Sequence, residues 1–381
     1  MHRSIGALTV LAVLSCAACD QRSAFSHDEE ARFADALATM HADQQSVGSA
    51  LIVDDGAHRY EGAAGFAERA TGRERTAQTP FRIASVTKTF TGALILALHE
   101  EGALSVDDPL SRYLPAFPNG ENMTLRMLLN HTSGIANYTK IAAYNEAFAA
   151  DTTRIFTPEE LVAYAASAPS DFPPGTDWNY SNTGYIILGM IAESIVHRSL
   201  PEELRARWFD RLGMSHTVPL TSPPAEMVVG YQVALDGTAT EVPASSALRA
   251  YAADGGWVST LENLVIWARA LFGGHLHSPA TLALARVPAG GALLDGVARA
   301  YGFDSGGYDL GLIQAHDRAL GMLYAGAGNG DGTRDFVGYL PDTDIAFIVS
   351  VNVGDGAVPI VEDLSAVQPL LVAIRAHVAA H

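Results

Sequence analysis

Near the N-terminus, apolar residues recur at intervals of three and four positions, the spacing of one face of an α-helix. Ser26 and Glu29 have the sequence pattern of a capping box, so we predict a helix that begins there and runs to about Gln45. Two segments rich in apolar residues, 47–53 and 58–66, then flank a turn-forming Asp-Asp-Gly sequence. These two segments predict a pair of strands.

The segment from Ser85 to Glu101 also has a helical pattern, but it is apolar on almost every side. Such a helix is buried at the centre of a domain. From 104 to 230 the strand pattern fades, and loops rich in Pro, Gly and Asn alternate with helical stretches. We therefore predict a mainly helical middle region.

Strand patterns return towards the C-terminus, followed by a helix over about 359–379. The predicted strands cover 300–305, 309–315, 320–326, 335–340 and 345–353. Because β-rich segments lie at both ends, the simplest assembly joins them in one sheet. The predicted fold class is α/β (α+β): an antiparallel sheet flanked by helices. It is built from 28–103 and 231–381, with an all-helical lobe over 104–230.

The first 19 residues have the pattern of an export signal. A basic Arg3 precedes a short apolar core, and small residues precede Cys19. This resembles a lipoprotein processing site with Cys19 as the lipidated residue; Cys16 is a second choice, and ordinary cleavage after Ala18 is the alternative. Residues 20–27 would form a tether. We expect an exported protein of the bacterial periplasm or cell envelope, which meets the membrane only through this lipid anchor.

The amino-acid composition excludes several kinds of site and partner. The only two cysteines lie in the export signal, so the domain has no disulfide, no thiol nucleophile and no cysteine-bound metal. The formal charge of −18 argues against nucleic acid as a partner. Only two of the 24 basic residues are lysines, Lys88 and Lys140. Unlike arginine, a lysine can lose its proton and act as a base.

Lys88 follows Ser85 by three positions at the predicted start of the buried helix, so both side chains share one face. Burial would lower the pKa of the amine and allow it to activate the serine hydroxyl. Backbone N–H groups at the helix start could stabilise an oxyanion. The alternative is structural: Ser85 caps the helix, and Lys88 extends along its surface to water.

A second candidate segment presents Tyr180 and Asn182 after a Pro-Pro-Gly turn. A tyrosine beside a lysine can relay a proton to a leaving group. An asparagine can hydrogen-bond both a lysine and a substrate carbonyl. The alternative is a structural loop with a buried aromatic side chain.

Together, Ser85-x-x-Lys88 and Tyr180-Ser181-Asn182, about 95 residues later, resemble the penicillin-recognising serine hydrolases of the class C β-lactamase type. That superfamily includes D-alanyl-D-alanine carboxypeptidases and family VIII esterases. Further segments are similar to its motifs, from about residue 28 to the end: Leu128-Leu129-Asn130-His131-Thr132-Ser133-Gly134, Gly255-Gly256-Trp257-Val258-Ser259-Thr260 and Tyr339-Leu340-Pro341-Asp342. We interpret His131 as structural.

The third motif of the family departs from the usual pattern. Relatives carry Lys-Thr-Gly, His-x-Gly or Trp-x-Gly, whereas this chain has Gly326-Ala327-Gly328. The missing cation helps relatives to bind a substrate carboxylate, and Arg334 is a candidate to replace it. The resemblance assigns substrate binding to Asn182, Gly326, Gly328, Asn329 and Arg334. It also makes the backbone N–H groups of Ser85 and Asn329 the oxyanion donors.

The glycine-rich stretch 326–335 also invites other interpretations. It lacks the G-x-G-x-x-G spacing of a dinucleotide site and the full ligand set of a calcium loop. We interpret it as a flexible loop at the rim of the active site.

The resemblance implies a serine hydrolase that acts through a Ser85 acyl-enzyme, with Lys88 and Tyr180 sharing the acid and base roles. Its substrate would be a small-molecule or peptide acyl compound, and it would need no metal or organic cofactor. Because of Gly326, hydrolysis of an ester or amide leads, and β-lactamase or D-alanyl-D-alanine carboxypeptidase activity is the alternative. A non-catalytic binding protein for cell-wall or peptide ligands is a second alternative.

Overall fold

The computed structural model describes residues 22–234, 236–243, 251–287, 289–354 and 367–381. The predicted signal segment 1–19, including Cys19, lies outside these residues. The α-helices of the described chain are α1 His27–Asp43, α2 Thr87–Glu100, α3 Leu125–Leu129, α4 Ala142–Ala150, α5 Pro158–Ala166, α6 Asn182–Val196, α7 Leu200–Leu204, α8 Asp210–Leu212, α9 Leu261–Phe272, α10 Pro279–Leu284, α11 Gly291–Ala300 and α12 Gln368–Val378.

The strands of the described chain are β1 Gly48–Asp54, β2 Arg59–Glu68, β3 Arg73–Glu74, β4 Phe81–Arg82, β5 Val218–Pro219, β6 Tyr231–Val233, β7 Ala239–Glu241, β8 Trp257–Ser259, β9 Ser305–Tyr308, β10 Ile313–Asp317, β11 Gly321–Gly330, β12 Thr333–Leu340 and β13 Ile345–Val351. Eight of them form one sheet in the order β3-β2-β1-β13-β12-β11-β10-β9. Neighbouring strands are antiparallel, and β1 pairs with β13, so the two ends of the chain meet at the centre. The predicted antiparallel sheet that joins both ends is confirmed.

Side chains alternate between the two faces of this sheet. On β1, Leu51 and Val53 pack in the cluster that includes α1 and α12. Ala50 and Ile52 point the other way, into the larger core around α2 and α9. That larger core continues through α3, α5 and α6, which makes α2 the buried central helix that the sequence predicted.

The N-terminal capping box is present, with Ser26 and Glu29 bonded reciprocally at the start of α1. The strand predicted over 309–315 begins only at Ile313, as β10, and two other predictions near the C-terminus are wrong. The segment 300–305 is not a strand: α11 ends at Ala300 and β9 begins at Ser305, because Leu294 and Ala298 give this region a helical buried face. The stretch 326–335 is not a loop, because β11 and β12 extend through it and only two residues separate them.

In the described part of the chain, helices that are both long and apolar enough to cross a lipid bilayer are absent. The predicted final helix over 359–379 is seen from Gln368 onward, and 359–366 lies outside the described residues.

Candidate active site

Ser85 lies in a short 3-10 turn, Ala84–Val86, that leads directly into α2. The residue before it, Ala84, has φ +40°, which L-residues seldom adopt. Such strain persists where the surrounding structure holds it in place. This conformation presents Ser85 at the first turn of the helical segment, where backbone N–H groups have no acceptor within the helix.

The amine of Lys88 makes three short contacts, and the side chain is buried. Nζ lies 2.7 Å from Asn182 Oδ1, 2.8 Å from the carbonyl oxygen of Asp254 and 3.1 Å from Ser85 Oγ. The first two oxygens can only accept hydrogen bonds. A neutral amine has two N–H groups, which these oxygens take up, and its lone pair then faces the Ser85 hydroxyl. The geometry therefore suits a base.

Burial lowers the pKa of Lys88 to about 7, against the opposing effect of the Asp254 carboxylate, which stabilises the ammonium form. A substantial fraction of Lys88 is thus neutral at physiological pH. An ordinary, exposed lysine would be almost fully protonated there.

The hydroxyl of Tyr180 donates a hydrogen bond to Ser85 Oγ at 2.8 Å. Burial raises the pKa of Tyr180 well above its ordinary value, so the side chain is a neutral phenol. A neutral phenol can give a proton but is a poor acceptor for one. The sequence left Lys88 and Tyr180 sharing the base role, and the geometry favours Lys88 as the first proton acceptor.

Contacts with His131 hold the loop that carries Tyr180 and Asn182. The backbone N–H of Ser181 donates to His131 Nδ1 at 3.3 Å, and the imidazole ring lies 4.5 Å from the Tyr180 ring, centroid to centroid. Burial and the nearby charge of Lys88 lower the pKa of His131 well below its ordinary value, so the imidazole is neutral. These contacts agree with the structural role inferred from the sequence.

Asp254 is a site residue that the sequence analysis did not single out. It is 3% exposed, its Oδ2 accepts a hydrogen bond from the Tyr138 hydroxyl at 3.0 Å, and its Oδ1 has no partner among the described residues. Burial raises the pKa of Asp254 to about 6. A signal was available, because this acidic residue directly precedes the Gly255-Gly256 motif.

Gly326 and Gly328 of β11 face the turn that carries Ser85. A Cβ atom on Gly328 would lie 2.3 Å from the carbonyl oxygen of Ile83, so only glycine fits this approach. A Cβ atom on Gly326 would lie 2.9 Å from Thr89 Cγ2. The third motif is thus next to the serine, as the resemblance implied, and is packed closely against it.

Arg334 is not brought to the site. It pairs with Asn329 across the β11–β12 ladder. Both residues therefore lie on the face of the sheet that carries Ala325 and Ala327, opposite the face that packs against Val86 and Thr89. The described residues that line the pocket beside Ser85 do not include Arg334.

A pocket of about 210 Å³, including its mouth, opens beside the serine. Of the described residues, those that line it all have uncharged side chains: Ser85, Thr89, Tyr180, Tyr308, Gly311, Ile313, Ala325, Gly326 and Ala327. Tyr308 of β9 was also missed by the sequence analysis, since it reaches the site only because β9 and β10 extend the sheet. The pocket reaches Ala327 but not Asn329. The backbone N–H groups of these two residues point to the same edge of β11, because the residues lie two positions apart. The role of Asn329 as oxyanion donor stays a prediction.

The chain matches the β-lactamase family over residues 33–368, and it belongs to that family. Among its relatives are penicillin-binding protein 4* of Bacillus subtilis, 32% identical over 184 residues, and esterase EstB of Burkholderia gladioli, 32% identical over 193 residues. These alignments cover 47% and 48% of this chain, and 39% and 49% of the respective relatives.

Among solved structures, a D-stereospecific amidohydrolase from Streptomyces sp. superposes with a TM-score of 0.74 at 27% identity. The match covers 88% of this chain and 97% of that structure. The predicted β-lactamase-like fold is therefore confirmed.

Proposed function

We propose that this protein is a serine hydrolase that cleaves an ester or amide bond of a small, uncharged acyl substrate through a Ser85 acyl-enzyme. One observation carries the proposal: Ser85 Oγ lies between a neutral phenol that donates to it, Tyr180, and an amine with a lowered pKa, Lys88. Two further contacts hold that amine in place. The esterase and amidohydrolase relatives support the reaction class.

In the first half of the reaction, Lys88 Nζ takes the hydroxyl proton as Ser85 Oγ bonds to the acyl carbon. The oxyanion that forms is stabilised by backbone N–H groups at the start of the helix and on β11. As the bond to the leaving group breaks, the Tyr180 hydroxyl gives its proton to the departing oxygen or nitrogen, and the Lys88 ammonium restores it. Water then attacks the acyl-enzyme, passes a proton to Lys88 and releases Ser85 with its hydroxyl proton.

The uncharged side chains that line the pocket support a neutral substrate. A carboxylate in this pocket would lose hydration without meeting a cation among the side chains that line it, which costs several kcal/mol. We expect a neutral ester or amide to be preferred over a β-lactam or a peptide with a free C-terminal carboxylate.

The test is a panel of substrates at equal concentration: p-nitrophenyl esters and N-acetylated D-amino acid amides, which are uncharged, against nitrocefin and D-Ala-D-Ala peptides. Turnover of esters or amides, with kcat/KM at least tenfold above that for the carboxylate substrates, supports the assignment. Fast nitrocefin or peptide cleavage without ester or amide turnover contradicts it. The Ser85→Ala variant corrects for background hydrolysis.

The cellular location is part of this proposal: the enzyme is exported and anchored through lipidated Cys19. Support comes from Arg3, the apolar segment after it and the small residues before Cys19. Metabolic labelling with an alkyne fatty acid in a bacterial host tests it. Label on the wild type but not on Cys19→Ser supports anchoring, and equal label on the two proteins contradicts it.

A further inference from the structure

The first and last helices of the chain meet at a cluster of ligand-type side chains outside the active site. Oε1 of Glu29, in the first turn of α1, lies 2.6 Å from His377 Nδ1 and 3.2 Å from His381 Nε2. His377 belongs to the last turn of α12, and His381 follows four residues later. Glu29 and His377 are buried, whereas His381 is exposed.

The hydrogen bonds to Ser26 orient the Glu29 side chain independently of the two histidines. Its second oxygen, Oε2, accepts hydrogen bonds from the backbone N–H of Ser26 at 3.0 Å and from the Ser26 hydroxyl at 2.5 Å. This capping box fixes the carboxylate and directs Oε1 towards the two imidazoles.

His377 has a carboxylate at each ring nitrogen. Nδ1 faces Glu29, and Nε2 lies 3.7 Å from Asp55 Oδ2. Asp55 is itself held by the backbone N–H groups of Ala57 and His58. A neutral imidazole has one N–H and can serve only one of these carboxylates. Asp55 Oδ2 also contacts His58 Nδ1 at 3.0 Å, so this carboxylate lies near the imidazoles of both His58 and His377.

We propose that Glu29 Oε1, His377 Nδ1 and His381 Nε2 bind a divalent transition-metal ion, and that Zn²⁺ fits best. The three ligand atoms lie within 4.8 Å of one another. Tetrahedral zinc, with bonds of about 2.0–2.2 Å to nitrogen and oxygen, needs these atoms about 3.4 Å apart. The 3.2 Å between Glu29 and His381 is already close to that spacing, and the 2.6 Å contact between Glu29 Oε1 and His377 Nδ1 would lengthen as the ion enters between the two atoms. With the metal on Nδ1, the N–H of His377 faces Asp55, the arrangement that orients many metal-bound histidines.

The two imidazole ligands favour zinc over calcium or magnesium, which take oxygen ligands. Three protein ligands leave a fourth position for water. Because the ion would join α1 to α12, its expected effect is on the stability of the paired terminal helices, independent of the Ser85 reaction.

Zinc binding is measured by isothermal titration calorimetry on tag-free protein that has been treated with a chelator. We expect one saturable site per chain and a zinc-dependent rise in Tm. His381→Gln removes an exposed ligand, and Glu29→Gln can keep an oxygen on Ser26 while it presents an amide to the metal. Both variants should bind zinc at least tenfold more weakly.

His216→Gln, at an exposed histidine outside the cluster, is the matched control and should keep the wild-type affinity. Absence of a saturable site in the wild type, or equal affinity in His381→Gln and His216→Gln, overturns the proposal. Ester turnover by the chelator-treated protein should equal that of the zinc-loaded protein, and loss of turnover on chelation overturns the structural role.

Discussion

The methyl group of Thr89 occupies the space that a side chain at position 326 would need, since a Cβ atom on Gly326 would lie 2.9 Å from Thr89 Cγ2. Thr89 cannot easily turn away. Its hydroxyl donates to the carbonyl oxygen of Val86 at 2.8 Å and accepts from Trp267 Nε1 at 2.9 Å. The absence of a bulky residue in the third motif is thus part of the packing between β11 and α2.

Gly326→Ala should therefore be destabilising. Forcing a methyl group into a filled contact costs about 1–3 kcal/mol, and displacement of β11 should lower ester turnover as well. Thr89→Ser removes Cγ2 but keeps the hydroxyl and its two hydrogen bonds. We expect the double variant Gly326→Ala/Thr89→Ser to recover most of the lost stability, as measured by chemical denaturation.

The matched control for that substitution is Gly296→Ala. Gly296 lies in α11 without a positive φ, and a Cβ atom there would have no neighbour within 4 Å among the described residues. Alanine at this position should be neutral or stabilising by up to about 1 kcal/mol. If Gly326→Ala and Gly296→Ala change stability equally, or if the double variant recovers no stability, the contact with Thr89 is not the reason that position 326 requires glycine.

The pH dependence of turnover reports the protonation of Lys88. The reaction needs the neutral amine, and burial lowers the pKa of Lys88 to about 7. Because deprotonation activates the enzyme, kcat/KM for a neutral ester should rise with pH and level off above about 7. A profile that keeps rising towards pH 10 would mean that Lys88 has an ordinary pKa.

Asp254 should influence the pH dependence of kcat/KM through its effect on the pKa of Lys88. Its carboxylate stabilises the ammonium form, so Asp254→Asn should lower the pKa of Lys88 and move the rise in kcat/KM to lower pH by about one unit. The asparagine can still accept from the Tyr138 hydroxyl. Asp107→Asn, at an exposed ion pair with Arg126, is the control and should leave the profile in place. A purely structural role for Asp254 would change Tm but not the midpoint of the profile.

Tyr180→Phe removes the proton donor to the leaving group and keeps the ring that packs on His131. We expect kcat to fall by about 10²–10⁴ with little change in Tm. Tyr113→Phe removes a different hydroxyl, which donates to Asp108 at 2.6 Å, and should retain full turnover. A fall in kcat of less than about threefold in Tyr180→Phe would exclude the proton-donor role.

Local signals in the sequence were reliable where neighbouring residues determine the structure. The Ser26–Glu29 capping box and the shared face of Ser85 and Lys88 both follow from helical geometry. The central sheet was also predictable, because both ends of the chain alternate between two buried faces.

What the sequence did not reveal depends on distant contacts. Asp254 meets Lys88 across 166 positions, through a loop that precedes β8. The stretch 326–335 has the glycine content of a loop, yet it is a hairpin of the sheet because glycine is needed where β11 approaches Ile83. The side of the sheet on which Arg334 lies is set by the register of that hairpin, which its glycines do not specify.

The central claim is that Ser85 forms a covalent acyl-enzyme, and intact-protein mass spectrometry after reaction with a fluorophosphonate tests it most directly. We predict one adduct per chain in the wild type, formed faster as the pH rises through about 7, and none in Ser85→Ala. An equal adduct in Ser85→Ala, or none in the folded wild type, would contradict the account.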